Sequence, residues 1–154
     1  MSGVFHLASL ILLALAVAGG PAFAAGGDDG PPKNPDFAKA QKLVKAGDYA
    51  AAIPLLEKTL SAEPKNADAL NYLGYSHRKL GDRENALAHY RKALALEPKH
   101  RGANEYLGEL YLEMGELAKA EERLEVLDRA CWLGCDEYSD LKQAINAYKA
   151  ESGG

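Results

Sequence analysis

The chain has no cluster of basic residues. Its 18 Lys and Arg are outnumbered by 22 Asp and Glu, for a formal net charge of −4 over 154 residues. Nucleic-acid binding draws on Lys/Arg clusters that neutralise phosphate, so this balance argues against it. Nor is there a basic amphipathic helix suited to lying on an anionic membrane. No phosphate-binding loop of the form G-x-x-x-x-G-K-[ST] occurs. Apolar runs are short. The longest, Val4 to Ala18, has 15 residues (18−4+1), against the roughly 20 of a membrane span. There is one Trp, and there are only two cysteines, Cys131 and Cys135. Their spacing is C-x-x-x-C, not the C-x-x-C of thiol exchange. Asp136 follows the second cysteine where haem attachment needs His.

The N-terminus is also without charge: residues 1–24 contain no Asp, Glu, Lys or Arg, so the remainder carries the same −4. After the apolar run, Gly19, Gly20 and Pro21 break the pattern, and Ala22-Phe23-Ala24 forms an A-x-A cleavage site. These features read as a secretory signal peptide over 1–24, although the n-region has no Lys or Arg. An uncleaved anchor and a misassigned start are the competing readings. Cleavage after Ala24 leaves a mature chain that starts at Ala25, is expected in the periplasm or outside the cell, and has no stable membrane insertion. Residues 25–32, AGGDDGPP, have nothing large and apolar to anchor them and are expected to be a disordered leader.

What the rest of the chain has is a period. Gly47, Gly81 and Gly115 are 34 residues apart (81−47, 115−81), as are Ala52, Ala86 and Ala120, and as are Pro64 and Pro98. The clearest unit runs from Ala67 to His100, with Leu73 and Gly74 early, Gly81 and Asp82 central, Ala86, Tyr90 and Ala93 at helical spacing, and Pro98 at the end. This layout predicts a helix, a tight turn and a second helix. It resembles the tetratricopeptide repeat (TPR), whose period is also about 34 residues. The resemblance implies an all-α helical-hairpin solenoid over 33–134, in units 33–66, 67–100 and 101–134. Gly74 and Gly108 are expected where helices approach closely, and Gly47, Gly81 and Gly115 at helix ends in left-handed backbone. Asp48, Asp82 and Asn66 are expected N-caps, with Glu116 a weaker one. Pro54 lies inside a second helix and is expected to kink it at most slightly, being near its start. The pattern departs after Leu124, and Trp132 stands where Pro64 and Pro98 stood.

Past the third unit, Tyr138, Leu141, Ala144, Ile145 and Tyr148 fall on one helical face. A capping helix is therefore expected over 135–150, with a frayed tail at 151–154. The tail CWLGCDEYSDLKQAI is similar to one on small exported bacterial TPR proteins.

No catalytic constellation emerges, and the chain is not expected to be an enzyme. Ser76 and His77 are adjacent, so on a helix they point about 100° apart. His77, His89 and His100 lack metal-ligand spacing. No cofactor or metal site is expected. Export favours a Cys131–Cys135 disulfide, with Gly134 as the break that lets the sulfurs meet. Free buried thiols and a thiol-based metal or redox role are the alternatives. A disulfide is expected to hold Trp132 against the stack.

The TPR resemblance also implies a concave groove lined by the first helix of each hairpin. Its positions fall on Asn34, Phe37, Gln41, Val44 and Lys45; on Asp68, Asn71, Tyr72, Tyr75, Arg78 and Lys79; and on Gly102, Glu105, Tyr106, Glu109, Leu112 and Glu113. The expected partner-binding set is Phe37, Gln41, Asn71, Tyr72, Tyr75, Arg78, Glu105, Tyr106 and Glu109. Tyr72 and Tyr106 have packing between helices as an equal alternative. TPR modules that hold a chaperone's C-terminal carboxylate use a Lys/Asn–Asn–Lys/Arg clamp. Phe37, Gln41, Tyr72, Gly102 and Tyr106 occupy those places here, so none of the clamp residues is present. The function expected is protein–protein interaction, as a scaffold or assembly factor in the bacterial cell envelope, with a protein or peptide in the groove.

Overall fold

The computed structural model describes residues 34–153. The expected signal peptide and leader lie outside the described residues. Within them are seven helices: α1 (Pro35–Lys45), α2 (Tyr49–Ala62), α3 (Ala67–Lys79), α4 (Arg83–Leu96), α5 (Arg101–Glu113), α6 (Leu117–Ala130) and α7 (Asp136–Ser152). None of them is long and apolar enough to cross a membrane.

Local chemistry starts and stops each helix. Asn34, Asp48, Asn66 and Asp82 accept hydrogen bonds from first-turn N–H groups through their side chains, satisfying donors the helix leaves open. Glu116 makes no such cap bond, in line with its longer side chain. His100 does: its Nδ1 accepts from Ala103 N–H at 3.2 Å while Nε2 faces Asp68 at 3.1 Å. The first helices of the hairpins end alike. Gly47, Gly81 and Gly115 have φ of 81°, 83° and 76°. The next residue's N–H then reaches back five residues, Asp48 to Leu43 O, Asp82 to His77 O and Glu116 to Tyr111 O, at 2.8–2.9 Å, which is the Schellman closure. Pro54 does not end α2, which continues to Ala62. Ala50, whose carbonyl loses its donor, is exposed, so water can satisfy it.

The hairpins α1–α2, α3–α4 and α5–α6 stack in order, and α1, α3, α5 and α7 also touch one another in sequence along one side. They form an inner layer and α2, α4 and α6 an outer one. Fully buried Ala52, Ala86 and Ala120 sit between the layers. Close approach is steepest at two glycines. A Cβ on Gly74 would lie 2.6 Å from the Tyr90 ring, and one on Gly108 would lie 2.6 Å from Leu141 Cδ2.

Helix α7 is more than a lid. Leu73, Leu107 and Leu141 are 34 apart (107−73, 141−107) and at most 2% exposed, so α7 takes the place of a fourth first helix. It also differs from the expected span of 135–150 with fraying from 151. The helix runs through Ser152, whose Oγ donates to Tyr148 O at 2.6 Å, and Gly153 N–H closes on Lys149 O at 3.1 Å. The expectation for Trp132 fails outright. It is 85% exposed and Leu133 is 80% exposed. Helix α6 stops at Ala130, Gly134 turns the chain with φ of 85°, and both apolar side chains are left on the apex of that turn.

Candidate functional site

The inner layer carries a row of aromatic rings. Phe37 on α1 meets Tyr72 on α3 edge-on, with centroids 5.8 Å apart. Tyr75, one turn along α3, meets Tyr49 at 5.9 Å and Tyr106 on α5 at 4.7 Å. Lys79 Nζ lies 5.2 Å from the Tyr75 ring centre, within cation–π reach. Gln41, Lys42, Lys45, Tyr49, Tyr72, Tyr75 and Tyr106 line an open cleft of about 540 Å³. Tyr72 and Tyr106 are each half-buried, packing between helices while also lining the cleft. Burial, and for Tyr75 the neighbouring Tyr49, raises the Tyr75 and Tyr106 hydroxyls above the usual phenol range. They remain neutral at physiological pH and can donate or accept hydrogen bonds.

Further along the same face the row gives way to charge. The Arg78 side chain is only 9% exposed, with Nη1 at 2.5 Å from Glu109 Oε2 and Nη2 at 2.7 Å from Glu113 Oε1. Burial works against the charged guanidinium, but the two carboxylates outweigh it and push its pKa up. Glu105 lies one turn before Glu109 on α5 and is 7% exposed. Burial, then repulsion from Glu109, Asp140 and Glu137, raises its carboxyl to about 8, with Arg78 opposing only in part. The cations near it are engaged elsewhere, Arg78 with Glu109 and Glu113, and Arg101 with Glu137. Among the described residues the Glu105 carboxyl has neither an ion-pair nor a hydrogen-bond partner.

This burial has a measurable sign. The folded-state pKa of Glu105 lies above its unfolded value, so the stability it contributes is complete below about pH 4.5 and is lost as pH rises towards 8. The change Glu105→Gln removes that loss. The variant is expected to melt with the parent near pH 4 and above it at pH 8–9, as followed by circular dichroism.

Asn71, at the matching position of α3, is 6% exposed and its Oδ1 has no hydrogen-bond partner. Its Nδ2 lies 3.0 Å from where a Gly102 Cβ would be, so any side chain at position 102 would have to displace it. A second cleft, about 510 Å³, is walled by Arg78, Glu109, Leu112 and Glu113 on one side and by Ala144, Ala147, Tyr148 and Glu151 of α7 on the other. The sequence reading placed none of these four α7 residues on the groove, having treated α7 as a cap. The signal was present in the leucine step and in Tyr72, Tyr106 and Asp140, which are also 34 apart. Tyr49 was missed because it belongs to a second helix, outside the first-helix positions.

The remaining candidates separate from the groove. Ser76 Oγ donates to Tyr72 O at 2.8 Å and His77 Nδ1 faces Asp82, so the two side chains do not act together. Cys131 and Cys135 face each other across the last turn with Cα atoms 5.6 Å apart, a separation a disulfide accommodates. The Glu137 carboxylate joins them within 4.8 Å. That makes three donors, fewer than the four of a closed structural zinc site.

Two family models for the tetratricopeptide repeat match the chain, over residues 37–95 and 77–130, and so together span 37–130. The chain belongs to the tetratricopeptide-repeat family. Solved TPR structures share its fold. The Sgt2 TPR domain from Aspergillus fumigatus is 23% identical, with a TM-score of 0.67, covering 80% of this chain and 85% of that one. The Yersinia enterocolitica type III secretion chaperone SycD, in complex with a peptide of the translocator YopD, is 18% identical, with a TM-score of 0.65 and coverages of 76% and 92%. The second TPR domain of human RPAP3, in complex with the HSP70 peptide SGPTIEEVD, is 18% identical, with a TM-score of 0.64 and coverages of 74% and 92%. No curated protein sequence matches.

Proposed function

We propose that this TPR protein is a non-catalytic module that holds an extended peptide segment of another protein along α1, α3, α5 and α7, as a scaffold or assembly factor in the bacterial cell envelope. The observation that carries the reading is the row Tyr49–Tyr75–Tyr106 beside an open cleft. Rigid amphipathic rings give contact area at small entropic cost and are the side chains binding surfaces favour. SycD and RPAP3, of similar fold, hold peptides. The RPAP3 peptide ends in EEVD. Here the clamp places carry Phe37, Gln41, Tyr72, Gly102 and Tyr106, so the reading is of a different ligand. The export reading rests on the charge-free apolar run and A-x-A site of residues 1–24. A test is affinity purification of the partner with the tagged mature protein from the cell envelope, followed by Tyr75→Ala. The variant is expected to weaken binding at least tenfold, about 1.4 kcal/mol, while keeping its helical spectrum. Retained affinity with an intact fold overturns the reading.

The same reading makes Cys131–Cys135 a disulfide, formed in an oxidising compartment. The loop is very short, so its chain-entropy effect falls below the roughly 3 kcal/mol of a 15-residue loop. The effect is local to the α6–α7 turn. Replacing both cysteines by Ser is expected to speed amide exchange in α7 and leave α1–α4 protected. Two thiols titrated in the unfolded, unreduced protein would show that there is no such bond.

A further inference from the structure

Glu105 is an anomaly on the inner layer. The residue is more than nine-tenths buried, and its neighbours include three other carboxyls, Glu109, Glu137 and Asp140, with Arg78 opposing them and Arg101 already engaged by Glu137. Arg78 is saturated by Glu109 and Glu113 at 2.5 and 2.7 Å. Burying a carboxyl without a partner is costly. One register back, Asn71 likewise presents a buried Oδ1 with no donor. Both are hydrogen-bond acceptors on the inner-layer helices α3 and α5, Asn71 Oδ1 fully enclosed and the Glu105 oxygens still open to solvent and so within reach of a ligand. What they lack in common is a cationic or N–H donor.

The charge along the inner layer is also divided. Lys42 and Lys45 border the tyrosine cleft and Lys79 caps the Tyr75 ring, whereas the α5–α7 half is dominated by carboxyls. We propose that the peptide held by this groove carries a lysine or arginine whose cationic head pairs with the Glu105 carboxylate between α5 and α7. This rests on the peptide-binding reading of the same groove and adds its selectivity. A cation at this place ionises Glu105, relieves the repulsion from Glu109, Glu137 and Asp140, and completes charge-assisted hydrogen bonds that the free protein cannot make. The proton leaves to solvent. The basic border along Lys42 and Lys45 sets direction: the peptide's basic residue lies at the α7 end and its apolar or acidic residues lie against the tyrosines.

The experiment is selection of displayed random peptides on the immobilised mature protein, run in parallel on the parent, Glu105→Gln, Asp140→Asn and Tyr75→Ala. Asp140 is exposed on α7, so its variant changes the charge without touching a buried position. The expected result is enrichment of Lys or Arg by the parent, lost with Glu105→Gln and weakened with Asp140→Asn. A selected peptide should also bind the parent about tenfold tighter than its Gln-substituted analogue, the scale of one charge-assisted hydrogen bond. Enriched peptides that lack basic residues but depend on Tyr75 overturn this inference and leave the groove reading standing. Basic peptides selected equally by Glu105→Gln overturn it as well, by placing their site elsewhere. No enrichment on any variant overturns both.

Discussion

Tyr90→Ala is expected to remove about 3–5 kcal/mol of stability, the cost of emptying an aromatic site in a packed core. Tyr90 is fully buried. Its ring lies on Gly74 so closely that an added Cβ would sit at 2.6 Å from it, and it reaches Tyr106 at 6.4 Å. It therefore ties α3, α4 and α5 together at the centre of the stack. The backbone at Gly74 cannot fill the vacancy without shifting a helix. Domains of this size are stable by about 5–15 kcal/mol in total, so the loss is a large share of what is available. Urea unfolding followed by circular dichroism should show the midpoint drop. Because neighbouring units support one another only through their interfaces, the transition should also broaden. The complementary change Gly74→Val fills the same contact from the other side and should destabilise by overpacking, about 1–3 kcal/mol or more.

Arg78→Ala is the second large effect, and its pH dependence identifies its cause. The guanidinium is nearly buried and joins α3 to α5 through Glu109 and Glu113. Removing one partner of a buried ion pair leaves uncompensated charge and costs about 3–5 kcal/mol. Here it leaves Glu105 and Glu109 on α5 without their opposing charge, while Glu113 keeps Arg83 at 3.7 Å. Arg78 is what holds the raised Glu105 carboxyl down in the parent, so its removal pushes that carboxyl up further. Acids with raised folded-state pKa values stabilise fully below their unfolded value and lose that stabilisation as pH climbs through the folded value. The deficit of the variant against the parent should therefore be smallest near pH 4 and largest at pH 8 and above. A deficit that does not change with pH would mean that Arg78 matters for packing of its stem and not for charge. Adding Glu105→Gln to the Arg78→Ala variant should recover part of the loss at pH 8 and little at pH 4.

The period of 34 residues made the hairpins legible. Gly47, Gly81 and Gly115 mark turns because left-handed backbone is cheap only without a Cβ, and Asp48, Asp82 and Asn66 mark helix starts because their short side chains reach first-turn N–H groups. These are local rules, so reading order suffices. The close contacts at Gly74 and Gly108 were legible as places where something small is needed, while the partners, Tyr90 and Leu141, were not. Helix α7 was legible as amphipathic, but its role as a fourth inner helix was not, because Cys131 to Cys135 interrupts the motif just where the repeat would restart. Trp132 was misread for the same reason. A large apolar side chain in sequence suggests burial, yet whether it finds a surface depends on the direction in which the turn at Gly134 sends it.

By itself the sequence determined an all-α stack of hairpins, the turns and caps that bound the helices of its first two units, and which residue types lie along the inner face. Those follow from backbone propensity, capping and apolar periodicity, all encoded within a few residues of where they act. Only the tertiary structure decided that Tyr49 of a second helix joins Tyr75 and Tyr106, that Arg78 is consumed by Glu109 and Glu113, and that Glu105 is left buried among carboxyls without a partner. Charge and burial depend on distance through space, and the residues concerned are brought together from α2, α3, α5 and α7 by stacking alone.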